Sequence, residues 1–335
     1  MQLLRLGTFF VLILSQATAF STSTSSSSRT FVNLDERFPR DMTSLEGWAA
    51  VCGIQKAPGI ELVPTTLSDN NQQFGVMTTD NIPAHTPILF VPTTGPILSS
   101  SQVQQEVGDG RSSVEGQQGN ARTLLTRLGE TDHFPRFCLF LKLLMEYEKG
   151  SDSPWFPWLN SLPRFYTNGA STTPFCFTCL PPLAAKLTKE ERTRCLHFQQ
   201  TLQQMYGHLV TDETQTKDDL IRWAYNVVYT RCLVRKGEPV LVPMADMFNH
   251  GTTQNEAVIH YDEDGNCCVC TTMDVPAGSA LRISYTNGDN TNPSFLFARY
   301  GFIDQETPAT FCKIMIDKPS QEIFAMGYHP SNALL

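Results

Sequence analysis

The hydrophobic period of this chain changes twice, and that alternation limits the folds open to it more than any other feature. Between residues 60 and 92 the pattern is that of short strands. Phe74-Gly75-Val76-Met77 is one and Ile88-Leu89-Phe90-Val91 another, with the turn residues Asp80-Asn81-Ile82-Pro83-Ala84 between them. The middle of the chain takes up a helical period. Phe137, Phe140, Leu141 and Leu144 stand at i, i+3, i+4 and i+7, which predicts an amphipathic helix ended by Gly150. Leu220, Trp223, Ala224, Val227 and Arg231 predict a second, opened by the acids Asp218 and Asp219. From Val240 the period returns to two. Ala257–Tyr261 and residues 268–272 flank Asp262-Glu263-Asp264-Gly265-Asn266 as a hairpin, and Pro276-Ala277-Gly278 turns the chain into residues 281–285. The expected class is α+β, a β-rich fold interrupted by a mainly helical insert over about residues 100–235. Two stretches read as irregular: 99–120 as a loose, exposed connection, and 153–163 as a packed loop too rich in proline for regular structure.

Composition removes whole classes of function. With 25 basic and 33 acidic side chains among 335 residues the formal charge is −8, and 41% of residues are hydrophobic against 17% charged. A disordered chain needs the opposite balance. A binder of nucleic acid through a general basic field would be repelled from phosphate by this charge, so no nucleic-acid partner is expected. Ten cysteines amount to about 3% of residues, far below the roughly 8–10% of a disulfide scaffold.

The N-terminus reads as an address. Arg5 precedes an apolar run over residues 6–14, and Ala17-Thr18-Ala19 gives a small-x-small cleavage pattern, so residues 1–19 are expected to be a signal peptide. The run is shorter than the ~20 residues a membrane span requires, and no membrane association of the mature form is expected. Phe20 follows, then unbroken Ser/Thr from Ser21 to Ser28, then Arg29, with no acid before Asp35. Residues 20–40 therefore read as transit-peptide-like, and the pair resembles the bipartite presequence of plastids enclosed by extra membranes. A plastid location is the first expectation; a secreted protein with a Ser-rich linker is the alternative.

Common catalytic signatures are missing: no Gly-x-Ser-x-Gly, no phosphate loop ending Gly-Lys-Ser/Thr, no His-Glu-x-x-His. Gly108-Asp109-Gly110 begins like a dinucleotide loop, but Ser113 replaces the third glycine. Cys176-Phe177-Thr178-Cys179 has zinc-like spacing, yet adjacent Cys267 and Cys268 on a strand must face opposite ways. No metal is expected.

The segment 239–302 is different. It carries Pro243-Met244-Ala245-Asp246-Met247-Phe248-Asn249-His250, then Ile283-Ser284-Tyr285, then Asn292, then Tyr300-Gly301-Phe302. Together with Trp48, Asn81-Ile82-Pro83, Leu89-Phe90-Val91-Pro92 and the Trp155-Phe156-Pro157-Trp158-Leu159 run, this series resembles the SET-domain protein methyltransferases. Within them it resembles the branch of the Rubisco large-subunit lysine methyltransferase, over about residues 48–302. The resemblance implies short-stranded sheets with a threaded pseudoknot, and methyl transfer from S-adenosyl-L-methionine to a side-chain nitrogen of a protein, most often lysine. It implies cofactor contacts from Phe74, Gly75, Arg231, Asn249, His250 and Tyr285. Tyr285 is the first catalytic candidate and Tyr300 the second, with Asp246 and Phe302 in the substrate channel. Where the family has Gly-x-Gly the chain reads Gln73-Phe74-Gly75, and Thr286 follows Tyr285. Only 33 residues follow Phe302, so the family's helical substrate-docking domain is expected to be lacking or truncated. The implied partner is a protein, with the Rubisco large subunit an analogy only, and the expected state is a monomer. A non-catalytic interaction module on the same scaffold, and a histidine-directed enzyme, are the alternatives.

Overall fold

The computed structural model describes residues 29–65, 73–108, 110, 120–251, 255–285 and 293–303. The signal peptide, most of the Ser/Thr-rich stretch, Ser113, Thr286, Asn292 and the C-terminal tail from 304 lie outside them.

Among the described residues, five short strands precede the insert: β1 (Gln55–Lys56), β2 (Ile60–Pro64), β3 (Phe74–Thr78), β4 (Pro87–Val91) and β5 (Leu98–Ser99). Six follow it: β6 (Cys232–Arg235), β7 (Glu238–Leu241), β8 (Asn249–His250), β9 (Ala257–Tyr261), β10 (Cys267–Thr271) and β11 (Ala280–Ile283). They form three sheets in the orders β1-β4-β10-β9, β2-β3-β11-β8 and β5-β7-β6. Every sheet thus joins strands from both sides of the insert, so the two β-regions make one body and the helices must leave and re-enter it. Pairing is antiparallel except for β8 with β11, where Asn249 stands opposite Arg282 and His250 opposite Ile283. A parallel pair needs a long crossover, and the β9–β10 hairpin supplies it. In that hairpin Cys267 and Val269 are buried while Cys268 and Cys270 are half-buried, the alternation expected of a pleated strand.

Helix α1 (Met42–Val51) lies ahead of the strands, its first turn capped by the Asp41 carboxylate on the Ser44 N–H. The insert holds α2 (Ser100–Val107), α3 (Ala121–Arg127), α4 (Phe134–Lys149), α5 (Phe156–Ser161), α6 (Pro182–Thr201), α7 (Asp212–Thr216) and α8 (Asp218–Arg231); α9 (Pro293–Tyr300) closes the described chain. Among the described residues no helix is long and apolar enough to cross a membrane. At the insert's centre the fully buried ring of Phe198 meets Phe137 edge-on at 5.4 Å, Phe140 at 5.5 Å and Tyr225 at 5.6 Å. Helix α4 has the predicted spacing but is enclosed almost all round. Even Lys142 and Glu146 are buried on it, paired at 2.9 Å, with the Ser153 hydroxyl donating to Glu146 at 2.7 Å. A buried pair of this kind holds only because its remaining oxygens are also satisfied.

Four expectations meet a different local structure. The 99–120 connection is not uniformly loose: Ser99 caps α2 through its side chain, and Val103 is buried against the core. One apolar stripe suffices there, and a polar composition hid it. The 153–163 loop contains α5, because Pro157 falls in the first turn, where a missing N–H costs nothing; Trp158 and Leu159 behind it are fully buried. Residues 30–40, read as part of a transit segment, pack on the folded body. Val32 is in the core, the Ser151 N–H donates to the Thr30 carbonyl at 2.7 Å, and Arg40 Nε donates to the Ser161 carbonyl at 2.5 Å. The helical part of the insert also ends at Arg231, since residues 232–235 pair with β7.

Candidate active site

The link between β7 and β8 sets the site. Met244 holds φ at 71°, a conformation that costs a side-chain-bearing residue about 1–3 kcal/mol, and Ala245–Met247 then form one 3₁₀ turn. This turn drives Asp246 into the interior. Its Oδ2 accepts from Trp158 Nε1 at 3.1 Å and lies 3.9 Å from Arg231, the last residue of α8. Arg231 Nη1 also donates to the Asp246 carbonyl at 2.6 Å. Burial pushes the Asp246 carboxyl above its usual range, with Arg231, Trp158 and Arg40 opposing it. Its Oδ1 is buried with no protein partner, an acceptor left available.

The parallel β8–β11 pair brings Asn249 and His250 beside Tyr285. The Tyr285 N–H donates to His250 Nδ1 at 3.2 Å, which makes Nδ1 the bare nitrogen of the neutral ring. The Tyr285 hydroxyl donates to the Phe248 carbonyl at 2.9 Å, so its only proton is engaged and its lone pairs remain free to accept. Burial raises its pKa above the ordinary phenol value, with Arg231 opposing. Four rings gather here: Tyr285 lies 4.8 Å from Tyr300 and 5.2 Å from His250, and Phe302 lies 6.0 Å from Tyr300 and 5.7 Å from His250.

Asn249 also reaches across to β3, where its Nδ2 donates to the Phe74 carbonyl at 3.2 Å. Gly75 permits this approach. A Cβ there would stand 2.7 Å from Asn249 Nδ2 and 2.9 Å from Thr65 Cγ2. Gly75→Ala is therefore expected to displace Asn249 and lower stability by about 1–3 kcal/mol, measurable as a shifted urea midpoint; an unchanged midpoint would refute the close approach.

Two cavities meet at this cluster. One of about 690 Å³ is lined by Asp246, Phe248, Ala257, Ile259 and Tyr261, among others; one of about 380 Å³ by Gln73, Tyr166, Asn249, His250 and Phe302. Thr230, Arg231, Tyr285 and Tyr300 line both. The two phenols and the guanidinium thus form the partition between two chambers. Of the residues expected from sequence, Arg231, Asn249, His250, Tyr285, Tyr300 and Phe302 are brought together. Asp246 and Phe302, expected to share one channel, face different chambers. Phe74 and Gly75 line neither; Phe74 lies under the Arg40 guanidinium at 4.9 Å, while its neighbour Gln73 lines the smaller chamber.

Sequence reasoning missed Trp158 as the donor to Asp246, although its tryptophan-rich run was visible. Arg40 was missed because it lay in a stretch assigned to the leader. Burial and the positive charge of Arg231 push its pKa down. Cys176 and Cys179 are exposed, and among the described residues no three metal-ligating side chains converge.

A family model described as the SET domain matches residues 73–286. The chain belongs to the SET-domain family. Solved structures share this SET fold: the SET domain of LSMT bound to lysine and AdoHcy, with a TM-score of 0.58 and 21% identity over 78% of this chain; and Rubisco LSMT bound to AdoMet, with a TM-score of 0.59 and 22% identity over 80%. Rubisco LSMT bound to sinefungin and monomethyllysine gives 0.57 and 20% over 80%. This chain spans 57% of the length of each of those structures. No curated protein sequence matches it.

Proposed function

We propose that this SET domain transfers a methyl group from S-adenosyl-L-methionine to a side-chain nitrogen of a protein, lysine above all. The observation that carries the reading is the pair of phenols, Tyr285 and Tyr300, shared by two chambers of unequal size. A donor and an acceptor that arrive from opposite sides and react across one contact need such a partition. The smaller chamber, at about 380 Å³, falls within the usual range of small-molecule sites. Its walls suit the donor chemically: a guanidinium for a carboxylate, an amide and an imidazole for an adenine and an amine, an aromatic face for a ring. Arg231, Asn249 and His250, which would make these contacts, all line that chamber.

When bound, the cofactor supplies an electrophilic methyl on a sulfonium. The chain's own residues have four tasks. Arg231, already anchored to Asp246, would pair with the cofactor carboxylate by a charge-assisted bond. Asn249 and His250 would hold the nucleoside end. Tyr285, its proton engaged by Phe248, presents lone pairs that can accept weak C–H···O contacts and fix the line of approach. Ala257, Ile259 and Tyr261 give the larger chamber an apolar stretch of wall against which the substrate side chain would be partly desolvated. A lysine has a reference pKa near 10.4, and desolvation lowers it toward the neutral amine that reacts. The free Oδ1 of Asp246 offers an acceptor to an N–H of the incoming amine.

The resulting pH profile has a defined sign. Because burial raises the Tyr285 pKa, the neutral phenol persists above the usual value of about 10. Activity is expected to climb with pH as the substrate amine loses its proton, with no descending limb near pH 10; a limb there that disappears in Tyr285→Phe would contradict this.

Residues 1–19 and the Ser/Thr-rich stretch support a plastid location, and a plastid protein such as the Rubisco large subunit is the substrate by analogy, with the enzyme acting as a monomer. The test is to incubate the protein with methyl-labelled cofactor and plastid extract and to sequence the labelled peptides by mass spectrometry. Methyl-lysine supports the reading. Methyl-histidine overturns the lysine assignment, and cofactor binding by calorimetry without any labelled peptide overturns catalysis. For the location, fusing residues 1–40 to a fluorescent protein should give plastid signal; secretion would refute it.

A further inference from the structure

Tyr300 and Phe302 sit on α9 and the turn after it, and neither belongs to the β-body that carries Tyr285. Their placement depends on what holds α9, and the helical insert holds it at three points. Asn168 Nδ2 donates to the Arg299 carbonyl at 2.7 Å, satisfying one of the carbonyls that a helix end leaves open; the same amide group donates to Asn226 Oδ1 at 2.8 Å. Gly169 lies so close to α9 that a Cβ on it would meet the Ala298 carbonyl at 2.7 Å. Glu191, on α6, accepts from Arg299 Nη2 at 3.2 Å.

Glu191 is unusual in what it gathers. It is buried, its Oε1 also accepts from Arg194 Nη1 at 3.0 Å, and its Oε2 accepts from the Tyr225 hydroxyl at 2.7 Å. Arg299 in turn lies over the Tyr229 ring at 5.3 Å. Nothing in the methyl-transfer reading requires a buried carboxylate here, outside the lining of both chambers. One residue further on, Tyr300 reaches its 4.8 Å contact with Tyr285. Gly301 then turns the chain at φ 84°, its N–H bonding back to the Phe297 carbonyl at 2.9 Å, the left-handed helix end that glycine favours.

We infer that Glu191 is a positioning residue of the active site: through Arg299, and together with Asn168 on the Arg299 carbonyl, it clamps the end of α9 and so sets Tyr300 against Tyr285. The insert on this view does more than add a helical core, since it orients one of the two phenols. Glu191 itself lines neither chamber, so its substitution reaches the site through its partners, and of these Arg299 is the one on α9. Misplacement of a reacting-site group by about an ångström can cost up to about 10²-fold.

The kinetic arm rests on the methyl-transfer reading, so the test pairs it with one that does not. In Glu191→Gln, kcat is expected to fall by about 10- to 100-fold with the cofactor Kd nearly unchanged. In a Tyr300→Ala background the same substitution should have no further effect on kcat, because the group it positions is gone. A structural role alone would give the same loss in both backgrounds, and that result overturns the proposal. Independently of activity, amide hydrogen exchange at residues 297–301 should quicken in Glu191→Gln while exchange in β3 and β11 stays as in the wild type; unchanged exchange at 297–301 overturns it too. Quickened exchange in a protein that transfers no methyl would sustain the clamp and reject the enzymatic reading. Should Glu191→Gln fail to fold, Arg299→Lys keeps the charge but gives up the planar fork, and the same two measurements apply.

Discussion

Tyr285→Phe is expected to lower methyl-transfer turnover by about 10²- to 10³-fold, the size of effect seen when one preorganised polar group at a reacting centre is removed. The hydroxyl donates to the Phe248 carbonyl and lines both chambers, so its loss removes the only oxygen of that side chain from the partition. The ring remains, and with it the contacts to His250 and Tyr300. Cofactor affinity should therefore change little, since the walls of the smaller chamber keep Arg231, Asn249 and His250. Radiolabel transfer gives the rate and titration calorimetry the affinity. A wild-type rate in Tyr285→Phe removes the phenol from the mechanism, whereas joint loss of rate and binding makes it a cofactor ligand only.

The second large effect lies away from the chemistry. Phe198→Ala is expected to cost about 3–5 kcal/mol, a large part of the roughly 5–15 kcal/mol that holds a domain folded. Phe198 is fully buried, with Phe137, Phe140, Tyr225 and Tyr229 around it at 5.4 to 6.1 Å. Removing the ring opens a cavity that four large side chains cannot collapse into without leaving their rotamers. Helix α8 is one wall of that cluster and ends on Arg231, so partial unfolding of the insert should also weaken cofactor binding. Urea unfolding followed by circular dichroism measures it. A loss under about 1 kcal/mol would mean the insert is not packed as described.

Strands β3, β4, β9, β10 and β11, the α4 and α8 spacing and the Asn-His and Tyr motifs were legible because each is a local property: period, turn residue or residue order. Helix α2 was not, since its polar composition masks the single stripe that Val103 and its neighbours bury. Nor was α5, where the run's prolines suggest irregularity until Pro157 is seen to fall in the first turn. Arg40 was assigned to a leader by composition. Only its contacts with the Ser161 carbonyl and the Phe74 ring reveal it as part of the body.

Taken alone, the sequence determined which family the chain resembles, because the order of polar and aromatic groups along segment 239–302 survives any folding. Which of those groups face one another was decided by tertiary structure. The assignment of Asp246 and Phe302 to different chambers, the engagement of the Tyr285 proton by Phe248 and the Glu191 contact to α9 each join residues far apart in the chain or turned by backbone geometry. Spacing in sequence carries no information about such distances, since they follow from how three small sheets and an inserted helical core close on each other.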